Sequence, residues 1–207
     1  YEKIEEDRLK KTPELLEYNP VYKRILVLVH SGKSISELGK LPVFSNTESM
    51  IILEYMDQVW PHNPLFPPHP YHKALARFWL NYCDHHLSGG VRALFRSNEV
   101  EGRKKVIENI WEHLRVVEDQ CFSKENKFFG GDSVNVLDLA FGSIIKYLTV
   151  LEDIFGVQIL EEHKFPHLYS WFNIFKTQPI IAQNLPHQDQ MVAFVESLRE
   201  QILSSSS

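Results

Sequence analysis

Cysteine is scarce in this chain: two among 207 residues, Cys83 and Cys121, without C-x-x-C spacing. That argues against a disulfide or a redox pair, and both thiols, set in helical patterns, are expected to be buried in a reducing compartment. No apolar run approaches the roughly 20 residues a membrane-spanning helix needs. Basic clusters are missing as well: 22 Lys and Arg stand against 27 Asp and Glu, a net charge of −5, which leaves no electrostatic footprint for nucleic acid. The opening Tyr1-Glu2-Lys3-Ile4-Glu5-Glu6-Asp7 is too acidic for a signal peptide. A cytosolic protein with neither nucleic acid nor membrane as partner is expected. What is present, 43% apolar and 24% charged residues, can bury one substantial core or two small ones.

Two halves with different rhythms meet near residues 61–70. In the first, Lys3 to Asp7 suggests a strand, and Thr12-Pro13-Glu14 starts a short helix that Asn19-Pro20 stops. Ile25-Leu26-Val27-Leu28-Val29 is a β-type run, His30-Ser31-Gly32-Lys33 a turn, and Ser34-Ile35-Ser36-Glu37 a returning strand. A helix from about Ser49 to Trp60 follows, with Ser49 as its cap and Glu48 just ahead. A capping serine leaves backbone N–H groups facing an incoming anion, while a carboxylate beside it would hold an ammonium group. Such a pair suits a ligand end carrying both signs. Five prolines between Pro61 and Pro70 then form a stiff connector.

The second half reads as all helix. From Tyr71 to about Phe95, Leu75, Phe78, Trp79, Tyr82 and Cys83 recur at helical spacing, and from Glu99 to Cys121 so do Val106, Ile110, Leu114 and Val117. Asn135 and Asp138 fit a capping box, with Val134 and Leu139 at the staple positions. The helix they open is apolar on nearly all sides through Leu151 and is expected at the centre of the core. Helices over 166–177 and 188–203 complete the domain, and residues 204–207 read as a disordered tail. His62, His69, His72 and the pair His85-His86 lack a spacing that would fix a metal, so no metal is expected.

Asn19-Pro20-Val21-Tyr22-Lys23-Arg24-Ile25, Glu48-Ser49 with Met50 to Trp60, Ala76-Arg77-Phe78-Trp79, Phe129-Gly130-Gly131, Val134 to Leu139, Phe165 to Trp171 and Leu185-Pro186 together resemble the soluble glutathione transferases, most closely the plant tau class. The resemblance implies an α+β chain: a thioredoxin-like glutathione-binding domain over 1–60, a Pro-rich linker over 61–70 and an all-α helical-bundle domain over 71–203. It implies conjugation of the glutathione thiol to hydrophobic electrophiles, with glutathione as co-substrate and no separate cofactor. A homodimer is implied too, the small domain of one subunit against the helical domain of the other. Glutathione would meet Lys11, Arg24, Ile25, Glu48 and Ser49. The hydrophobic co-substrate would meet Ser88, Arg92, Phe95, Tyr147, Phe194 and Leu198.

The sequence departs from the family pattern in three places. The tau-class serine that donates a hydrogen bond to the thiolate lies in the turn after the family's first strand, and this chain begins at what looks like the second. None of Ser31, Ser34, Ser36 or Ser45 has a matching context, so no catalytic residue is named, and the family sheet would be left with unpaired edges. Leu26 stands where the family has a cis-proline; a secondary amide pays about 2.5–4 kcal/mol for cis, so a trans bond and weaker docking by Ile25 are expected. Residues 38–48 look like an insertion, either a surface loop or a run in which Leu41-Pro42-Val43-Phe44 competes for a strand position. These departures leave a non-catalytic binder of hydrophobic ligands, or a partial inactive product, as alternatives to the enzyme.

Overall fold

Thr12 starts the first helix, α1 (Pro13–Tyr18): its hydroxyl accepts from the Leu15 N–H at 3.2 Å, with Pro13 at the first helical position, where a missing N–H costs nothing. The computed structural model describes residues 2–6, 11–21, 23, 25–36, 47–121 and 126–204, with the side chains of Thr47, Glu48, Ser49, Ile202 and Leu203 outside the description. The chain divides into two units, Tyr1–Leu65 and Phe66–Ser207.

In the first unit β1 (Val27–His30) and β2 (Lys33–Ser36) form an antiparallel hairpin, pairing Val27 with Ser36 and His30 with Lys33. The two-residue turn puts Ser31 at φ 51° and Gly32 at φ 73°, the left-handed geometry that matches the twist of the flanking strands. Glycine takes that geometry without penalty; Ser31 takes it at some cost. α2 (Thr47–Val59) is tied to the hairpin where the Tyr55 hydroxyl meets His30 Nδ1 at 2.7 Å. Asp57 then holds the Leu65 N–H at 2.8 Å beyond the helix end.

Three expectations fail in this unit. Residues 2–6 form no strand, because their backbone has no ladder partner among the described residues. The Ile25–Leu26 bond is cis. The trans expectation rested on the local amide preference alone, and that preference does not decide the bond. α2 begins at Thr47, so Ser49 is the third helical residue and not the cap. The apolar pattern that placed the start of this helix does not fix its end to better than a couple of residues. The insertion alternatives over 38–48 lie outside the described residues except at their end, where Thr47 and Glu48 are helical.

The second unit is all helix: α3 (Pro70–Tyr82), a π-helical turn (Cys83–Ser88), α4 (Gly89–Arg96), α5 (Val100–Val116) running into a second π-helical turn (Val117–Cys121), α6 (Val136–Phe155), α7 (Pro166–Lys176), α8 (Pro179–Asn184) and α9 (Gln188–Ser204). α6 sits in the middle, packed against α3, α4, α7 and α9. Eleven of its residues are buried, as its all-round apolarity requires. Its start is the predicted capping box, with Asn135 accepting from the Leu137 and Asp138 N–H groups and Asp138 accepting from the Asn135 N–H. Cys83 is fully buried and Cys121 partly so; burial pushes both thiols well above their ordinary range, which makes them inert.

The face α3 turns inward differs from the expected one. Ala76, Trp79, Leu80, Cys83 and Leu87 are buried, whereas Leu75 and Phe78 are exposed. Apolar residues lie on two stripes of this helix, and period alone cannot say which stripe meets the core. Ser204, read as tail, is the last residue of α9, and α8 is an additional short helix.

Candidate functional site

Of the residues expected to meet glutathione, Lys11 is exposed one residue before the α1 cap, and Ile25 is 37% exposed on the cis bond to Leu26. Arg24 and the side chains of Glu48 and Ser49 lie outside the described residues. The backbones of Glu48 and Ser49 do stand in the first turn of α2. N–H groups in a first turn have no intrahelical carbonyl to bond, so the anion-accepting property survives the loss of Ser49 as cap.

The six residues expected to meet the hydrophobic co-substrate sit on four neighbouring elements. Ser88 closes the first π-helical turn, Arg92 and Phe95 are on α4, Tyr147 on α6, and Phe194 and Leu198 on α9. α4 packs on α6 and α9, α6 packs on α9, and the π-helical turn meets both α4 and α6. Within this cluster the residues differ in character. Ser88 and Phe95 are core side chains, 0% and 2% exposed, with the Ser88 hydroxyl lacking a hydrogen-bond partner among the described residues. Arg92, Tyr147 and Leu198 are half-buried, and Phe194 is 43% exposed. The exposed aromatic side chain, Phe194, is thus supplied by α9, and the buried one, Phe95, by α4.

Arg199 fixes that arrangement. Its Nε donates to the Phe95 carbonyl at 3.0 Å, and Nη2 donates to the Ser97 carbonyl at 2.8 Å and to Asn98 Oδ1 at 3.0 Å. These acceptors include carbonyls at the end of α4 that no helical N–H can reach, and the guanidinium lies 5.3 Å from the Phe155 ring centre. Sequence reading passed over Arg199, since nothing in the local pattern marks a partner about a hundred positions away. Arg199→Ala is expected to cost about 1–2 kcal/mol of stability. It should also loosen α9 beside Phe95, weakening the binding of apolar ligands measured by fluorescence titration. Arg199→Lys should recover little of either, because an ammonium group cannot span the three acceptors.

Residues 73–179 match the family description "Glutathione S-transferase, C-terminal domain". A probable glutathione S-transferase of soybean (Glycine max) is 34% identical over 99% of this chain and 85% of its own length. The crystal structure of a tau-class glutathione S-transferase from mango (Mangifera indica) is 34% identical, with a TM-score of 0.83 over 96% of this chain and 86% of that one. A rice glutathione transferase solved in complex with glutathione is 28% identical, with a TM-score of 0.80 over 96% of this chain and 84% of that one. The chain belongs to the glutathione S-transferase family. Within it the likeness is to the tau class of plants, and the fold is the family's thioredoxin-like unit followed by its helical unit.

Proposed function

We propose that this chain is a cytosolic glutathione transferase of the detoxification or stress type, joining the sulfur of reduced glutathione to hydrophobic electrophiles. The observation that carries this reading is sequence identity running through both units to tau-class enzymes, one relative having been solved with glutathione bound. In the reaction the thiol gives up its proton, the thiolate sulfur bonds to an electrophilic carbon, and the leaving group departs with the electron pair. The thiolate is the reacting species, so the protein's task is to favour it near neutral pH and to orient it.

Each unit has its share in this reading. Lys11 and Arg24 neutralise the glycine carboxylate, the Ile25 backbone pairs with the cysteinyl peptide, Glu48 holds the ammonium, and Ser49 with the α2 N-terminus takes the neighbouring carboxylate. Phe194, Tyr147 and Leu198 offer the electrophile an apolar surface over Phe95 and Ser88, with Arg92 at its side. Conjugation of 1-chloro-2,4-dinitrobenzene, followed by absorbance, should saturate in glutathione. A rate no greater than the uncatalysed one at saturating glutathione would reject the enzyme. Calorimetric titration with an S-alkyl glutathione should release or absorb heat at a single site per chain.

The reading includes a homodimer. Tyr71, Leu75 and Phe78 form one exposed apolar stripe along α3, 66%, 42% and 58% exposed, at spacings that share a helix face. A stripe of this kind on a folded unit is the surface expected to meet a second copy. Phe78→Glu should turn the dimer into a monomer in sedimentation velocity while leaving the helical circular dichroism unchanged. A dimer that persisted unchanged would place the interface elsewhere.

A further inference from the structure

Lys105, Asn109 and His113 recur every four residues along α5, and they face His85, His86, Gly89, Gly90 and Ala93 across a hollow of about 320 Å3. The two walls stand close because Gly90 has no side chain: a Cβ there would lie 2.6 Å from Cγ1 of Ile110 on α5. Among the described residues, no carboxylate lines the hollow. Its polar groups are three imidazoles, one ammonium and one carboxamide, a set dominated by groups that donate when protonated.

These groups are also under-used. Neither the Lys105 nor the His86 side chain makes a hydrogen bond or ion pair among the described residues. His113 spends Nδ1 on the Tyr82 hydroxyl at 2.9 Å, and His85 spends Nδ1 on the Asn81 carbonyl at 3.0 Å, which leaves each ring its Nε2. The rings of His86 and His113 lie 4.3 Å apart, inclined by 33°. Two imidazoles in that contact repel one another once both are charged. Burial first, and His86 second, hold His113 below its ordinary value, with Glu112 opposing them. The titratable groups around the ring are Tyr82 from α3, His85 and His86 from the π-helical turn, and Lys105 and Glu112 from α5. From α4 the hollow receives only Gly89, Gly90 and Ala93.

We infer that this hollow binds a small dianionic oxyanion, sulfate- or phosphate-like, between Lys105 and the histidine pair. A dianion placed there supplies the counter-charge that the two imidazoles lack and accepts from Lys105 and Asn109 as well. None of these residues is among those proposed to meet glutathione or its co-substrate. Binding takes up protons, because a dianion beside His113 raises the affinity of that ring for them; anion affinity therefore falls as pH rises through the imidazole range.

Sulfate is the suitable probe, since its charge is constant between pH 6 and pH 8. Titrating the whole protein with sulfate at fixed ionic strength, and following the imidazole resonances by NMR, should give saturable shifts of the His86 and His113 rings at pH 6. Affinity should be weaker at pH 8 by about fivefold or more. Lys105→Ala, an exposed change that leaves the packing alone, should weaken binding severalfold, and His113→Gln should reduce the pH dependence. Phenyl phosphate in place of sulfate separates a site for the bare anion, where the two bind alike, from one for an organic ligand's anionic group, where phenyl phosphate binds tighter. Shifts no larger than equal ionic strength of chloride produces, or an affinity unaffected by Lys105→Ala, would overturn the inference.

Discussion

Replacing Asp138 with alanine is expected to destabilise the helical unit by about 4 kcal/mol. The carboxylate is fully buried at the third position of α6, and three N–H groups converge on it. Phe129 N–H and Trp171 Nε1–H donate to Oδ1 at 3.1 and 2.7 Å, and the Asn135 N–H donates to Oδ2 at 2.9 Å. Alanine takes this acceptor away from all three donors in a region that excludes water, at about 1–3 kcal/mol each before relaxation. Set against a total of about 5–15 kcal/mol for a domain, such a loss decides whether the unit stays folded at 37 °C.

Asn is not a safe substitute at this position. Its carbonyl can keep the two bonds at Oδ1, but its NH2 then points at the Asn135 N–H, donor against donor. Asp138→Asn should therefore lose about half of what alanine loses. Trp171→Phe removes one donor and leaves the acceptor with two, so it should cost less than either. Urea unfolding is the measurement, with the midpoint falling in the order Trp171→Phe, Asp138→Asn, Asp138→Ala while the slope stays constant. Equal midpoints for the wild type and Asp138→Ala would remove this carboxylate from the account of α6.

Parts of the fold were legible because their physics is local. Asn135 and Asp138 sit three residues apart, and the apolar run behind them can only be a buried helix, so both cap and centre could be read from the order of residues. Thr12 followed by Pro13 was legible for the same reason. Where two local choices compete, the sequence is silent. Thr47 and Ser49 are both plausible starts for α2, and Trp79 and Phe78 both belong to apolar stripes of α3, but only Trp79 is buried.

The candidate site was legible to a lesser degree, since its residues are brought together by packing. Arg199 reaches Phe95 and Ser97 because α9 returns along α4, a fact of topology with no trace near position 199. The histidines show the same limit from the other side. His85 and His86 are adjacent in the chain, yet the rings that His86 meets are those of Tyr82 and of His113, the latter on a helix far along the chain.

Glu118→Ala is expected to cost about 3 kcal/mol, with the damage centred on a helix that begins 48 positions away. α7 starts at Pro166, and its cap residue, Phe165, has no side-chain acceptor to offer the first N–H groups. Glu118, 7% exposed in the second π-helical turn, supplies one. Oε1 accepts from the His167 N–H at 2.8 Å and from His167 Nδ1 at 2.6 Å, and Oε2 accepts from the Leu168 N–H at 2.9 Å. A carboxylate at a helix start is favoured by the dipole as well as by the bonds. Removing it takes the carboxylate acceptor from the His167 and Leu168 N–H groups at the start of α7. Gln can satisfy one of them and must turn its NH2 toward the other, so Glu118→Gln should lose about half as much. His167→Ala deletes the imidazole contact to Glu118 and keeps both backbone bonds, and should cost under about 1 kcal/mol. Hydrogen exchange separates this long-range cap from a general loss of packing. In Glu118→Ala the amides of His167 and Leu168 should lose protection while those in the middle of α6 fall only with global stability. Protection retained at His167 and Leu168 would mean that another group closes the start of α7.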